Sequence, residues 1–219
     1  MINEPEILFE DDSIVAAVKP FGATSESGPF TDSVKTAAHC PSLFSVHRLD
    51  KACGGLIIYA KDPASAAKFS SLFAGNGIVK TYLAVTERAP EAEHDRLDDL
   101  LFHDAAKNKT YVVDRIRKGV KQASLEYRLL QKAQADAGEL ALISVHLLTG
   151  RTHQIRVQFA SRGLPLYGDA RYGASNRRIE VALWSCRMSF RHPVTGEPVG
   201  ITSLPPETEP WNLFREIQI

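Results

Sequence analysis

The chain has 219 residues, 44% of them hydrophobic and 24% charged, and its 26 Lys and Arg balance its 26 Asp and Glu. This length fits one large domain or two small ones with a proper core. The neutral balance departs from the strongly basic one of many nucleic-acid binders, and no apolar run of about twenty residues predicts a membrane span.

Two further features bear on the cellular compartment. The N-terminal sequence MINEPEILFEDD is acidic and lacks the basic and apolar regions of a signal peptide. The three cysteines, Cys40, Cys53 and Cys186, are widely separated and form no CxxC pair. We therefore predict a reduced, cytoplasmic protein.

The first predicted element is a β-hairpin. Residues 6–10 and 14–18 are rich in apolar side chains and flank a short polar turn. The sequence Lys-Pro-Phe-Gly at 19–22 ends the second strand with turn chemistry. Residues 23–32, rich in Ser, Gly and Thr, are predicted to form a loop, and a short helix is expected over 33–39.

The stretch Ser45 to Lys61, SVHRLDKACGGLIIYAK, carries the densest pattern in the chain. Its apolar residues 56–60 predict a buried strand, and the paired glycines before them indicate a sharp turn or a close approach to another group. The pattern puts the Arg48 guanidinium and the Asp50 carboxylate on a loop anchored by a core strand. Loops held by a rigid scaffold are where functional residues concentrate.

One helix and several strands follow. Asp62 and Pro63 predict the start of a helix, and Gly75 predicts its end. Strands are predicted over residues 78–85, 110–113, 124–130, 140–147 and 181–190, with turns at 135–138 and 191–197. Short polar connections indicate antiparallel pairing. We predict a single α+β domain over 1–219, with a mixed, largely antiparallel central sheet flanked by helices and loops.

Charge is unevenly distributed along the second half. Residues 87–104 carry seven acidic side chains against two arginines, and residues 107–121 carry six basic ones against one Asp. Further arginines follow, including Arg171, Arg177 and Arg178. Such runs most often form solvated faces, and basic runs beside a candidate site are equally compatible with a surface that follows nucleic-acid phosphates.

A second chemical motif, LTGRTHQIRV, begins at Leu148. Thr152 is a suitable helix N-cap and Gly163 can end the helix. Arg151, directly before the helix, is placed to meet a carboxylate or phosphate with two hydrogen bonds. A structural salt bridge would give the same pattern.

Together these motifs resemble the RluA family of RNA pseudouridine synthases. The family pattern HRLDxxTSGLLLxAK is similar to HRLDKACGGLIIYAK here, KxYxA is similar to KTYLA at Lys80, and GRTHQIR matches without departure. The Lys-Pro-x-Gly turn, GLPLYGD followed by YG, and HPVTGE extend the resemblance from about Ile7 to Pro205. Cys53 and Gly54 stand where Thr and Ser are usual, and Leu-Trp-Ser around Trp184 stands where Leu-His-Ala is common. Since the replacements at 53 and 54 are small, we expect altered loop packing or hydrogen bonding and intact chemistry.

The resemblance implies a pseudouridine synthase-like catalytic fold and the isomerisation of specific uridines in structured RNA, ribosomal or transfer. It implies that Asp50 is the catalytic carboxylate, that Tyr82 lies in the active site and that Arg151 pairs with Asp50. Asp50 would act at the sugar, either attacking the anomeric carbon or removing a nearby proton. The isomerisation involves no redox change, so we expect no cofactor and no metal.

The RNA contacts follow from the need to flip the base. A uridine in structured RNA must leave the stack at a cost of about a few kcal/mol, and Arg48 is a candidate to fill the vacated space. Other residues expected to bind RNA are His47, Lys80, Lys107, Lys109 and Arg171. We expect a monomer with no membrane contact, no required protein partner and no additional N-terminal RNA-binding domain of the S4 type.

Two other functions fit the residues less closely. A catalytically silent RNA-binding module could retain the scaffold, but the intact trio Asp50, Tyr82 and Arg151 argues against it. A hydrolase could use Asp50 on another glycosidic bond, but no second carboxylate lies near either motif. The histidines and cysteines of residues 39–53 fit no common zinc spacing, and we interpret His47 and His153 as hydrogen-bonded scaffold residues.

Overall fold

The computed structural model describes residues 4–75, 77–136, 138–176 and 180–217. Within them the chain forms an α+β fold of eleven strands and three α-helices. The strands are β1 (Ile7–Glu10), β2 (Ile14–Lys19), β3 (Phe44–Ser45), β4 (Gly54–Ala60), β5 (Ile78–Thr86), β6 (His94–Asp104), β7 (Lys109–Val113), β8 (Val120–Ala135), β9 (Gly138–Leu147), β10 (Leu183–Arg191) and β11 (Pro198–Thr202). The helices are α1 (Pro29–Ala37), α2 (Pro63–Ala74) and α3 (Gln154–Ala160).

Contacts between Cα atoms divide the chain into two compact units. Unit 1 comprises Met1–Lys80 and Trp184–Pro205, and unit 2 comprises Thr81–Leu183 and Pro206–Ile219. That residues 1–219 form one domain stays a prediction. No helix among the described residues has the length and apolarity needed to cross a membrane.

Strand β4 is the central strand of unit 1. It pairs antiparallel with β2 and parallel with β10, while β1 pairs with β2 and β11 with β10. Every residue of β4 is buried, which confirms the prediction of a buried strand. Of the strand pairs with a described register, β4 with β10 is parallel and the others are antiparallel, and this confirms a mixed, largely antiparallel arrangement.

The paired glycines begin β4 instead of forming a turn before it. A Cβ atom on Gly55, whose φ is +104°, would lie 2.4 Å from the carbonyl oxygen of Ser185. A Cβ atom on Gly54 would lie 2.4 Å from the ring atom Cζ3 of Trp184. The alternative prediction of a close backbone approach is therefore confirmed.

Capping residues and prolines define the ends of the helices in unit 1. Asp62 caps α2 by accepting hydrogen bonds from the amides of Ala64 and Ser65 at 2.8 and 2.9 Å, and Gly75 forms the C-cap, as predicted. Helix α1 begins at Pro29, four residues earlier than predicted, so the predicted loop over 23–32 is wrong in its last part. Proline at the first helical position starts this helix.

Unit 2 contains an antiparallel sheet in the order β5–β9–β8–β6–β7. The predicted strands at 78–85, 110–113, 124–130 and 140–147 are confirmed, with β8 longer than expected. Strand β6 was not predicted because polar and charged residues dominate its sequence, although its Leu97 and Leu101 are buried. Helix α3 packs on this sheet, where Phe159 meets Tyr127 with ring centroids 5.3 Å apart.

Candidate active site

The loop His47–Asp50 of unit 1 is held by Ser25. The amide of Leu49, a residue 6% exposed, donates to Ser25 Oγ at 3.0 Å, and Ser25 Oγ donates to the Leu49 carbonyl oxygen at 2.8 Å. The hydroxyl of Tyr59 in β4 donates to the Ser25 carbonyl oxygen at 2.8 Å. Burial raises the pKa of Tyr59 to about 12, so this hydroxyl stays a donor. The segment predicted as a loop thus contains an anchor that sequence patterns did not identify.

His47 occupies a gap along β4. By register, β10 covers Gly54 and Gly55 while β3 covers Tyr59 and Ala60. The Nε2 of His47 accepts the amide hydrogen of Ile58 between them at 3.0 Å. The ring also stacks on Phe73, with centroids 4.3 Å apart.

Burial lowers the pKa of His47 to about 3, with a further contribution from the positive charge of Lys80. The imidazole is therefore neutral at physiological pH and serves as an acceptor. This agrees with the interpretation of His47 as a scaffold residue, and its contact with RNA stays a prediction.

The side chains of Arg48 and Asp50 are at least partly accessible to solvent. The Arg48 side chain is 67% exposed, with Nη1 3.6 Å from Oε1 of Glu26. Asp50 is partly exposed, and its carbonyl oxygen accepts the amide hydrogen of Cys53 at 2.9 Å, which closes the turn before β4. The loop therefore buries Leu49 and exposes Arg48, while His47 and Asp50 are both partly exposed.

A buried lysine supports the neighbouring turn. Lys19 has no exposed surface, and its Nζ donates to the carbonyl oxygens of Pro20 and Ala23, each at 3.0 Å. The amide of Gly22 donates to the Lys51 carbonyl oxygen at 2.9 Å, which joins this turn to the loop of Asp50. The sequence predicted the turn but not the role of its lysine.

In unit 2, Tyr82 is buried in a strand and Arg151 is exposed on a loop. Tyr82 lies in β5 opposite Val145 of β9 and is 7% exposed. Arg151 is exposed, and its Nε donates to the carbonyl oxygen of Gln122 at 2.9 Å. The pairing of Arg151 with Asp50 stays a prediction.

The loop before α3 is organised by Gln154. Its Oε1 accepts from the hydroxyl of Thr149 at 2.8 Å and from the amide of Arg151 at 3.0 Å, while its Nε2 donates to the Ser124 carbonyl oxygen at 3.1 Å. The N-cap is His153, with a left-handed φ of 55° and no side-chain cap hydrogen bond. The predicted N-cap at Thr152 is therefore wrong, because a buried glutamine satisfies the loop.

The buried ion pair of this motif is made by Arg156. Its Nε and Nη2 donate to the two carboxylate oxygens of Asp169 at 2.7 and 2.8 Å, and the two side chains are 6% and 1% exposed. Both residues lie in the sequence motifs, but spacing alone could not assign them as partners. Such a bidentate pair fixes α3 against the segment that contains Asp169.

Tyr172 joins β7 to the loop before α3. Its hydroxyl accepts the amide hydrogen of Thr110 at 2.8 Å and shares a hydrogen bond of 2.9 Å with Nδ1 of His153. Burial raises the pKa of Tyr172, which keeps the hydroxyl protonated. The interpretation of His153 as a hydrogen-bonded scaffold residue agrees with this geometry.

Three predicted RNA-binding residues come together at the turn between β6 and β7. Arg171 Nη1 donates to the carbonyl oxygens of Lys107 and Asn108 at 3.2 and 3.1 Å. Lys109 Nζ lies 5.4 Å from the ring centroid of Tyr172. By contrast, Lys80 in unit 1 is only 8% exposed, and its contact with RNA stays a prediction. Arg177 and Arg178 lie outside the described residues.

Comparison with known proteins identifies the family. The family model "RNA pseudouridylate synthase" matches residues 14–161. An uncharacterised RNA pseudouridine synthase of Haemophilus influenzae is 28% identical over 99% of this chain and 96% of its own length. The ribosomal large subunit pseudouridine synthase D of Zymomonas mobilis is 28% identical over 94% of this chain and 72% of its own length.

A solved structure supports the fold. Human RNA pseudouridylate synthase domain containing 1 superposes with a TM-score of 0.81 at 17% identity, covering 95% of this chain and 86% of that one. These findings agree with the resemblance to the RluA family carried by the HRLD and GRTHQIR motifs. The chain belongs to the RNA pseudouridylate synthase family and is an RNA pseudouridine synthase.

Proposed function

We propose that Asp50 is the catalytic carboxylate of this enzyme and that Tyr82 and Arg151 complete its active site. The observation that carries the proposal is the construction of the Asp50 loop. Ser25 fixes the backbone of Leu49 from both sides and His47 is tied to β4. A partly exposed Asp50 is thereby presented on a rigid support, and catalytic groups need such preorganisation.

The reaction conserves all atoms. The bond between uracil N1 and the sugar C1′ breaks, a bond between C5 and C1′ forms, the C5 hydrogen leaves as a proton, and N1 gains one. Asp50 acts at the sugar, either as a nucleophile toward C1′ or as a base toward a neighbouring hydrogen. Arg151 would hold this carboxylate ionised and aimed, and Tyr82 would stack on the base or relay a proton.

As the substrate we propose structured RNA of the large ribosomal subunit, from which the target uridine is flipped out. The support is that one relative is named a ribosomal large subunit pseudouridine synthase. Arg48, exposed beside Asp50, would fill the space that the flipped base leaves. The cations gathered at the β6–β7 turn would hold RNA phosphates.

We also propose a cytoplasmic monomer. The three cysteines are free, as expected of a reducing compartment. The large hydrophobic side chains that are exposed among the described residues, Val79, Ile116, Val194 and Leu204, are scattered along the chain. Hydrophobic residues exposed singly are ordinary on a monomer.

The test is the substitution Asp50→Asn, which keeps the size of the side chain and removes its charge. Release of tritium from RNA labelled at uridine C5 measures the loss of the C5 proton. We expect a fall of about a thousandfold or more with an unchanged unfolding temperature. Asp12→Asn, on the exposed turn between β1 and β2, is the matched control and should keep wild-type activity. Near-normal tritium release by Asp50→Asn would overturn the proposal.

A further inference from the structure

The turn between β7 and β8 combines positive charge with an exposed apolar side chain. Residues 114–119 are all exposed. The segment 114–121 carries four cations against the single acid Asp114, a net charge of +3 (4 − 1): Arg115, Arg117, Lys118 and Lys121. None of the salt bridges described in residues 4–217 involves these four cations. Their charge is therefore available to an anionic partner.

The conformation of this turn is fixed by Phe102 of β6. The guanidinium carbon of Arg117 lies 5.0 Å from the Phe102 ring centroid. Gly119 has a φ of +87°, and a Cβ atom there would lie 3.4 Å from the same ring. The amide of Val120 donates to the Arg117 carbonyl oxygen at 3.0 Å and closes the turn. Because the turn is already ordered, docking it on a partner would cost little conformational entropy.

Ile116 projects from the middle of this turn. It is 74% exposed, more than any other large hydrophobic residue described. Isoleucine is not a turn former, since Gly, Pro, Asn, Asp and Ser supply the geometries that turns need. At this exposure it contributes little to the core of unit 2. Neither turn chemistry nor packing therefore accounts for an isoleucine between Arg115 and Arg117.

We propose that the β7–β8 turn is an RNA-docking finger, in which Ile116 wedges against or between bases while Arg115, Lys118 and Lys121 hold the flanking phosphates. Apolar side chains that separate base steps beside cationic phosphate contacts are a known mode of nucleic-acid binding. Positive charge without paired acids selects a polyanion over an ordinary protein surface. The inference rests on RNA being the substrate, and it names the surface that selects RNA with loops or junctions, where bases can be separated.

The experiment compares Ile116→Ala with Val194→Ala, which shortens another exposed aliphatic side chain, in the turn after β10. The binding probes are a short RNA stem–loop carrying 2-aminopurine beside the stem and an oligouridine of equal length. We expect Ile116→Ala to weaken stem–loop binding about tenfold. Its effect on oligouridine binding should be smaller than its effect on stem–loop binding by a factor of about three or more. The fluorescence gain of 2-aminopurine, which reports unstacking of the base, should also be reduced. Val194→Ala should match the wild type throughout.

The charged residues give a separate readout. Arg115→Gln and Lys118→Gln should each lower the slope of log affinity against log salt by about 1, whereas Ile116→Ala should leave the slope unchanged. Stem–loop binding and fluorescence that are unaltered in Ile116→Ala would overturn the wedge. So would a changed sedimentation coefficient without a change in RNA affinity, which would indicate contact between protein copies. Since these readouts are binding measurements, they are independent of the tritium-release test of Asp50.

Discussion

Two departures from the family pattern fit each other in the structure, and this yields a prediction. Gly54 stands where the pattern has Ser, and Trp184 stands where it has His. A Cβ atom on Gly54 would lie 2.4 and 2.6 Å from Cζ3 and Cε3 of the Trp184 ring. We therefore expect that Gly54→Ser is tolerated only when Trp184 is also replaced by a smaller ring.

The magnitude follows from how firmly the indole is held. Trp184 is 4% exposed, its ring centroid lies 5.4 Å from that of Phe21, and its Nε1 donates to the Ser203 carbonyl oxygen at 3.2 Å. Ordinary contact would require the ring to move by about 1 Å, and overpacking of this kind costs about 1–3 kcal/mol. Straining the indole hydrogen bond adds about 1 kcal/mol. We expect Gly54→Ser to lower the free energy of unfolding by about 3 kcal/mol.

The assay is a double-mutant cycle measured by urea denaturation. Trp184→His alone removes buried ring area and should destabilise unit 1 by about 2–4 kcal/mol. The loss of unfolding free energy in the double variant should be smaller than the sum of the two single losses by at least about 1.5 kcal/mol. Gly200→Ser in β11 is the matched control, because a Cβ atom there meets Ser189 Oγ only at 4.0 Å. Strict additivity of the two substitutions would refute the steric coupling.

Two further predictions concern buried charge. The pKa of His47 is about 3 in the folded protein, against an ordinary value of 6.5. Between these values the unfolded chain binds the proton more readily than the folded protein does. The free energy of unfolding is therefore fully retained above about pH 6.5 and falls by about 2 kcal/mol between about pH 7 and pH 5. His47→Gln keeps an acceptor and should flatten this part of the curve in urea titrations; an equal effect of His94→Gln, at the exposed end of β6, would contradict the assignment. Asp169→Asn removes the carboxylate that pairs with the buried Arg156 and should lower the free energy of unfolding by about 3–5 kcal/mol. Adding Arg156→Met should recover part of that loss. If nothing is recovered, the broken ion pair is not the cause of the destabilisation.

The elements that the sequence predicted correctly are those with local signals. The proline and capping Asp of α2, the alternating apolar strands and the fully apolar β4 each act within a few residues. Strand β6 escaped prediction because its exposed positions are polar or charged and only Leu97 and Leu101 are buried, four residues apart. Its strand character depends on pairing with β8 and β7, which no local pattern reveals.

The sequence predicts residues for the candidate site but not the side chains that support their loops. The motifs named Asp50, Tyr82 and Arg151, whereas Ser25 and Lys19 act through hydrogen bonds across loops with no special spacing. A serine in a Ser- and Gly-rich loop looks like any turn former. Only coordinates show that its hydroxyl serves both the amide and the carbonyl of one residue.

The contacts of the HRLD motif indicate which of its four residues support the loop. On the edge of β4 that faces away from β2, the His47 ring takes the place of a strand partner for the amide of Ile58. Leu49 is buried and its backbone is bonded to Ser25, so both residues support the loop. Arg48 is exposed and Asp50 partly exposed, and the contacts described for His47 and Leu49 do not involve their side chains. An active-site role is therefore expected of the second and fourth residues of the motif. Substitutions at the first and third should instead act through stability, so that loss of activity after His47→Gln should track loss of folded protein, whereas loss after Asp50→Asn should not.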